Sequence, residues 1–234
     1  MFKISKRLCT AASYVRDGAV VADIGTDHAY LPIYLALENK IKKAIASDIN
    51  EGPIAKAREN IHKYDLEDII DTCVADGLND IEKYEPTDIL ICGMGGELIS
   101  QIIDKSPYTK IQGIRLVLQP MTSVKELREY LQNGFSTIAE KIVFEDEKLY
   151  QIICVEYDGI KREYNNAELE LGIKNIENGG KLFDMLLFSL IAKKEKKLKG
   201  LIRGGYDTEE IKKEINELKK LIKGNSNDIL WAIY

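Results

Sequence analysis

The chain has 234 residues, 45% of them hydrophobic and 30% charged, with a formal net charge of −5. That is enough apolar material for one large domain or a medium domain with an appendage, and it excludes a disordered chain. No apolar run approaches the ~20 residues needed to span a membrane, and residues 1–8 lack the long apolar segment of a signal peptide, so a cytoplasmic protein is expected. The charge is uneven: residues 160–234 hold 15 Lys/Arg against 12 Asp/Glu, and residues 1–159 hold 18 against 26. An acidic body with a mildly basic tail is not a general nucleic-acid binder, yet it permits a local basic surface for a polyanion. Cys9, Cys73, Cys92 and Cys154 stand far apart with no C-x-x-C pair, and there are two histidines. Neither a disulfide framework nor a metal site is expected.

In chain order, Ile4, Leu8, Ala11, Ala12 and Val15 recur at helical spacing, and Asp17-Gly18 stops that segment. Alternation follows. Strands are expected at residues 19–24, 44–47, 69–74, 88–92 and 114–118, with helices over 29–38, from Pro53, over 97–104 and over 123–133. Residues 135–144 and 150–156 read as two further strands, antiparallel because only a short acidic turn joins them. Five strands alternating with helices, then a hairpin, is the pattern of a Rossmann-like, seven-stranded α/β methyltransferase sheet. From Asn166 the strand signal disappears. Helices are expected over 183–203 and 208–223, broken by Gly204-Gly205-Tyr206-Asp207. They should fold back as an antiparallel coiled-coil hairpin. The boundary is placed near residue 160, giving domains 1–159 and 160–234.

Candidate chemistry gathers where the strands end. Asp23 and Gly25 flank the first turn, and Thr26, Asp27 and His28 follow. A glycine there lets the backbone approach a ligand, but the G-x-G-x-x-G pattern is absent and Asp27 would oppose a pyrophosphate. The sulfonium and amino groups of S-adenosyl-L-methionine suit this acid-rich turn better. Asp48 closes the second strand, 23 residues beyond Gly25, an offset at which an acid binds a ribose diol. Asp76-Gly77 follows the third strand, where an acid reaches an adenine amino group or simply makes an Asp-Gly turn. Acids at three successive strand ends favour a nucleoside-containing ligand. Gly93-Met94-Gly95-Gly96 follows the fourth strand. Three glycines in four residues is an entropically costly way to make an ordinary turn, and it reads as close backbone approach to cofactor and substrate. His28 is either a base, a contact to the cofactor's carboxylate, or a structural hydrogen-bonding residue. In the tail, Lys193, Lys194, Lys196, Lys197 and Lys199, with Arg203 beyond, form either a solvated face or phosphate contacts for RNA.

Taken together, Ser5-Lys6-Arg7-Leu8, Asp23-Ile24-Gly25-Thr26-Asp27-His28-Ala29-Tyr30-Leu31-Pro32, Ser47-Asp48-Ile49-Asn50, Asp76-Gly77, Gly93-Met94-Gly95-Gly96 and Gln119-Pro120 resemble the bacterial tRNA (adenine-22, N1)-methyltransferases. The resemblance covers residues 1–157 closely and the tail more loosely. It implies a class I S-adenosylmethionine fold that methylates N1 of an adenosine in the D-arm region of tRNA. Asp23, Gly25 and the turn of Thr26, Asp27 and His28 would line the methionine part, Asp48 would hold the ribose and Asp76 the adenine, with Ile49 and Gly77 also binding the cofactor. Gly93, Met94, Gly95 and Gly96 would sit beside the transferred methyl and the entering base, and Arg7 would touch substrate or cofactor. The Asn-Pro-Pro-Tyr motif of exocyclic-amine methyltransferases is missing. That absence fits, because N1 of neutral adenine offers a lone pair and the transfer needs alignment and desolvation more than a base. Asp27 would stabilise the developing positive charge. A monomer, no metal and a tRNA partner are expected. The alternatives are a methyltransferase acting on another RNA or a small molecule, and a non-catalytic RNA-binding protein of the same fold.

Overall fold

The computed structural model describes residues 2–222 and divides into two compact units, one ending at Glu163 and one beginning at Tyr164. The first unit opens on α1 (Lys6–Ser13), capped by the Ser5 hydroxyl, which accepts from the Leu8 N–H. Then follow β1 (Ala19–Ile24), α2 (Tyr30–Leu37), β2 (Ile41–Asp48), α3 (Glu51–Lys63), β3 (Ile70–Val74), β4 (Asp88–Gly95), α4 (Gly96–Lys105), β5 (Arg115–Thr122), α5 (Val124–Leu131), β6 (Asn133–Glu145) and β7 (Lys148–Lys161). The seven strands form one sheet in the order β3-β2-β1-β4-β5-β7-β6. The pairs among β1 to β5 are parallel, and β7 is antiparallel to both β5 and β6. This is the seven-stranded class I methyltransferase sheet.

Strands buried on both faces need apolar side chains pointing both ways. In β4, Ile89 and Ile91 enter the core with Ile99 and Leu127, whereas Leu90 enters the opposite core with Val21, Leu31 and Ile61. The order of strands reverses between β1 and β4. A doubly wound sheet opens a crevice at the carboxyl ends of its strands at such a point.

Two boundaries differ from the sequence expectation and bear on the site. β4 runs through Gly93, Met94 and Gly95, and α4 starts at Gly96 with no loop between them. β5 likewise continues past Gln119 and Pro120 to Thr122. Glycine and proline score poorly as strand residues. Here pairing overrides that preference, because Met94 opposes Pro120 and Gly95 opposes Thr122 across an irregular register. β7 also extends to Lys161, opposite Asn133, so the strand crosses residue 160.

The second unit holds α6 (Asn166–Leu171), α7 (Ile173–Asn178), α8 (Lys181–Arg203) and α9 (Glu209–Lys219). Neither α6 nor α7 shows in the sequence pattern, because six residues make too few turns for periodicity to register. A capping box between Asn165 and Glu168 starts α6. α8 and α9 fold back on each other. They bury Ile191 on one and Ile211, Ile215 and Leu218 on the other, and Lys194–Glu214 (2.8 Å) and Lys219–Glu195 (2.7 Å) join them. The expected end of the last helix, Lys223, lies outside the described residues. Among the described residues no helix is long and apolar enough to cross a membrane.

Candidate cofactor and methyl-transfer site

The turn after β1 is a tight polar structure. Gly25 takes φ +71°, and the Thr26 N–H donates to the Ser47 carbonyl of β2 at 2.8 Å. The Thr26 hydroxyl donates to the Asp23 carboxylate at 2.6 Å. Asp23 is only 6% exposed. Burial raises its pKa to about 6, against the opposing effect of the Thr26 hydrogen bond. His28 and Ala29 both adopt left-handed backbone conformations. Asn60 holds that geometry by donating to the His28 carbonyl at 3.0 Å, and His28 Nε2 lies 3.0 Å from the Asp27 carboxylate.

Two cavities open at the carboxyl edge of the sheet, within the size range of small-ligand sites. One has a volume of about 580 Å³ and includes Asp48, Ile49, Asp76, Gly77 and Leu98 in its wall. Ile49 and Leu98 are exposed apolar surfaces there. Asp48 accepts the Asn50 N–H at 2.7 Å through one carboxylate oxygen. The other cavity, about 650 Å³, includes Lys3, Arg7, Asp23, Thr26, Asp27 and Gly93, so its wall carries both signs of charge. Gly25, Asp48 and Met94 belong to both walls. Cys92 lines the second cavity, and burial pushes its thiol pKa well up, so the group stays neutral.

The glycine cluster divides by what each glycine faces. A Cβ on Gly96 would overlap the backbone carbonyl of Ser123, whose carbon lies 2.8 Å from that point, and one on Gly95 would sit 3.2 Å from the Thr122 hydroxyl. These two glycines let the β4–α4 corner pack against the end of β5, and neither lines either cavity. This departs from the expectation that all four residues meet cofactor and substrate. Gly93 does face the second cavity. Its φ is +83°, and the nearest atom to an added Cβ is Arg7 Nη1 at 4.0 Å. His28, expected near the methionine part, is also absent from both walls.

Arg7 is held from three sides. Its backbone N–H donates to Glu145 at 2.8 Å, Nη1 donates to Gln119 Oε1 at 2.7 Å, and the guanidinium carbon lies 5.7 Å from the centroid of the Tyr150 ring. Gln119 is fully buried, and its amide nitrogen donates to the Pro120 carbonyl at 2.9 Å. Sequence reasoning missed Gln119, Glu145 and Tyr150 as supports for Arg7. The available signal was a single polar side chain ending the apolar run of β5.

Residues 4–153 match the methyltransferase domain family. The chain is 40% identical over 172 residues to the tRNA (adenine(22)-N(1))-methyltransferase of Bacillus subtilis (strain 168), covering 73% of this chain and 72% of the relative. The chain belongs to the tRNA (adenine(22)-N(1))-methyltransferase family. Two similar solved structures carry ligands. A Streptococcus pneumoniae protein in complex with S-adenosyl-L-methionine is 32% identical with a TM-score of 0.83, over 94% of this chain and 100% of that one. M. capricolum TrmK, in complex with the cofactor product S-adenosyl-homocysteine, is 32% identical with a TM-score of 0.81, over 94% and 99%.

In the second unit, Lys193, Lys196, Lys197 and Lys199 are exposed, and none forms an ion pair among the described residues. Lys194 departs from the sequence expectation. Its ammonium lies between Glu170 (2.9 Å) and Glu214 (2.8 Å), with the side chain 13% exposed. It ties α6, α8 and α9 together and is not open to a phosphate. No group of three or more His, Cys, Asp or Glu among the described residues is placed to hold a metal ion.

Proposed function

We propose that this chain transfers a methyl group from S-adenosyl-L-methionine to N1 of adenosine 22 in tRNA. The observation that carries the reading is the pair of adjoining cavities at the strand ends of a member of this family. One is predominantly acidic, with four carboxylates against Lys105, and has apolar surfaces; the other sets Asp23, Asp27 and Asp48 against Lys3 and Arg7. The donor set fits a nucleoside joined to an amino acid. In the first cavity Asp48 accepts the ribose hydroxyls, Asp76 accepts the adenine amino group, and Ile49 and Leu98 cover the base. In the second, Asp23 takes the ammonium, while Lys3 and Arg7 take the carboxylate. When bound, the cofactor supplies a methyl group on a cationic sulfur.

The remaining work belongs to the chain. N1 of adenine carries its own lone pair, so no side chain has to remove a proton before transfer. Alignment and exclusion of water are the catalytic tasks. Gly93 leaves the second cavity open beside Arg7, where the target base enters. Asp27 is 82% exposed at its side chain, so water screens its charge; with His28 it shapes the turn and contributes little to the developing cation. Access to the base requires its extrusion from the tRNA structure. Lys193, Lys196, Lys197 and Lys199 supply phosphate contacts, and the protein acts as a cytoplasmic monomer. The test is methyl transfer from labelled cofactor to unmodified tRNA, followed by mapping of the product. N1-methyladenosine at position 22 is expected, and it should vanish when A22 is changed to G. Binding of cofactor with no methylation of any tRNA would overturn the substrate assignment.

A further inference from the structure

Met94 is placed unlike any other residue of the site. It lines both cavities, and the point where a Cβ on Gly25 would stand is filled by the terminal methyl of Met94, with the sulfur 3.6 Å away. Gly25 therefore forms a notch in the floor common to the two cavities, and the thioether plugs it. Methionine suits such a plug, since its unbranched chain and three soft torsions let it leave at little cost.

We infer that Met94 is a positioning residue that partitions the site and must leave the Gly25 notch before one ligand can span both cavities. The inference rests on the cofactor reading above. Its physical content is a population cost. A ligand confined to the first cavity meets Met94 only as part of the wall and does not require its withdrawal, whereas a spanning ligand binds only the withdrawn position. The apparent affinity of the spanning ligand is then reduced by the withdrawn fraction.

Two ligands separate these cases by isothermal titration calorimetry on the full chain. Adenosine occupies the nucleoside cavity alone, and S-adenosylhomocysteine spans both. Met94→Ala should tighten S-adenosylhomocysteine relative to adenosine by roughly fivefold or more, because the withdrawn state no longer has to be selected while any loss of wall contact falls on both ligands. Met94→Leu ends near the sulfur position, clears the notch and keeps the apolar bulk, so it should shift the same ratio. A thermal melt confirms that both variants fold. An unchanged ratio of the two affinities, or a ratio shifted toward adenosine in both variants, overturns the inference. Failure of the unaltered protein to bind S-adenosylhomocysteine at all would instead overturn the cofactor reading.

Discussion

Replacing Asp23 with Asn removes a buried charge while keeping the side-chain oxygen that accepts from Thr26. Burial lifts the Asp23 pKa from 3.8 to about 6 in the folded chain. Folding therefore favours the protonated acid. The penalty for ionising it is absent below pH 3.8, grows between the two values and is complete above pH 6. At 1.36 kcal/mol per pKa unit, a shift of about two units makes that penalty about 3 kcal/mol. Asp23→Asn should accordingly match the unaltered chain in stability near pH 4 and exceed it by about 3 kcal/mol at pH 7.5. Urea unfolding of both proteins across this range measures the difference. A difference independent of pH, or an unaltered chain that is the more stable at pH 7.5, refutes the account. The gain in stability should come with a loss of ligand. Without a carboxylate for the ammonium, S-adenosylhomocysteine should bind roughly 10- to 100-fold more weakly, the range for a charged hydrogen bond.

Asp48→Ala and Asp76→Ala should each weaken S-adenosylhomocysteine by roughly tenfold or more in calorimetry, and wild-type affinity in either would remove that acid from the site. Gly96→Ala should cost about 3 kcal/mol, because a Cβ there meets a backbone carbonyl that cannot yield. Gly93→Ala should cost about 1 kcal/mol for its left-handed backbone and act mainly on methyl transfer; thermal melts with activity assays distinguish the two. The pair Lys196→Ala with Lys197→Ala should lower tRNA affinity and flatten its salt dependence by ~0.7–0.9 per lost phosphate contact. Lys194→Ala should instead lower the melting temperature of the helical unit by removing the ion pairs to Glu170 and Glu214. Equal salt slopes in the double variant and in Lys194→Ala would contradict that division.

The alternation of apolar runs with helical periods carried the sheet, because each parallel strand is buried on both faces and reads as a short continuous run. Acids following those runs were legible for the same reason: Asp48 and Asp76 stand where apolar character stops. The glycine cluster was legible as unusual but not as divided. Which of Gly93, Gly95 and Gly96 faces a cavity depends on Ser123 and Thr122, some 27 residues away in sequence, and no local pattern carries that contact. Lys194 fails to read correctly for a related reason. It looks identical to its neighbouring lysines until α6 and α9 bring two glutamates to it. The short helices α6 and α7 lie below the length at which periodicity speaks.

The fastening of Arg7 also sets a schedule for building the site. Its partners Gln119 and Glu145 lie 112 and 138 residues further along the chain, and Arg115 reaches back to the Tyr14 carbonyl across 101. At a synthesis rate of ~5–20 residues per second, Arg7 waits roughly 7–28 s for Glu145 to be made. Through that interval β1 to β4 and the acids Asp48 and Asp76 have already been made, while one wall of the second cavity still lacks its anchor. On the cofactor reading proposed above, the residues for the amino-acid end of the ligand are thus completed late, with the β6–β7 hairpin, after those for the nucleoside end have been made.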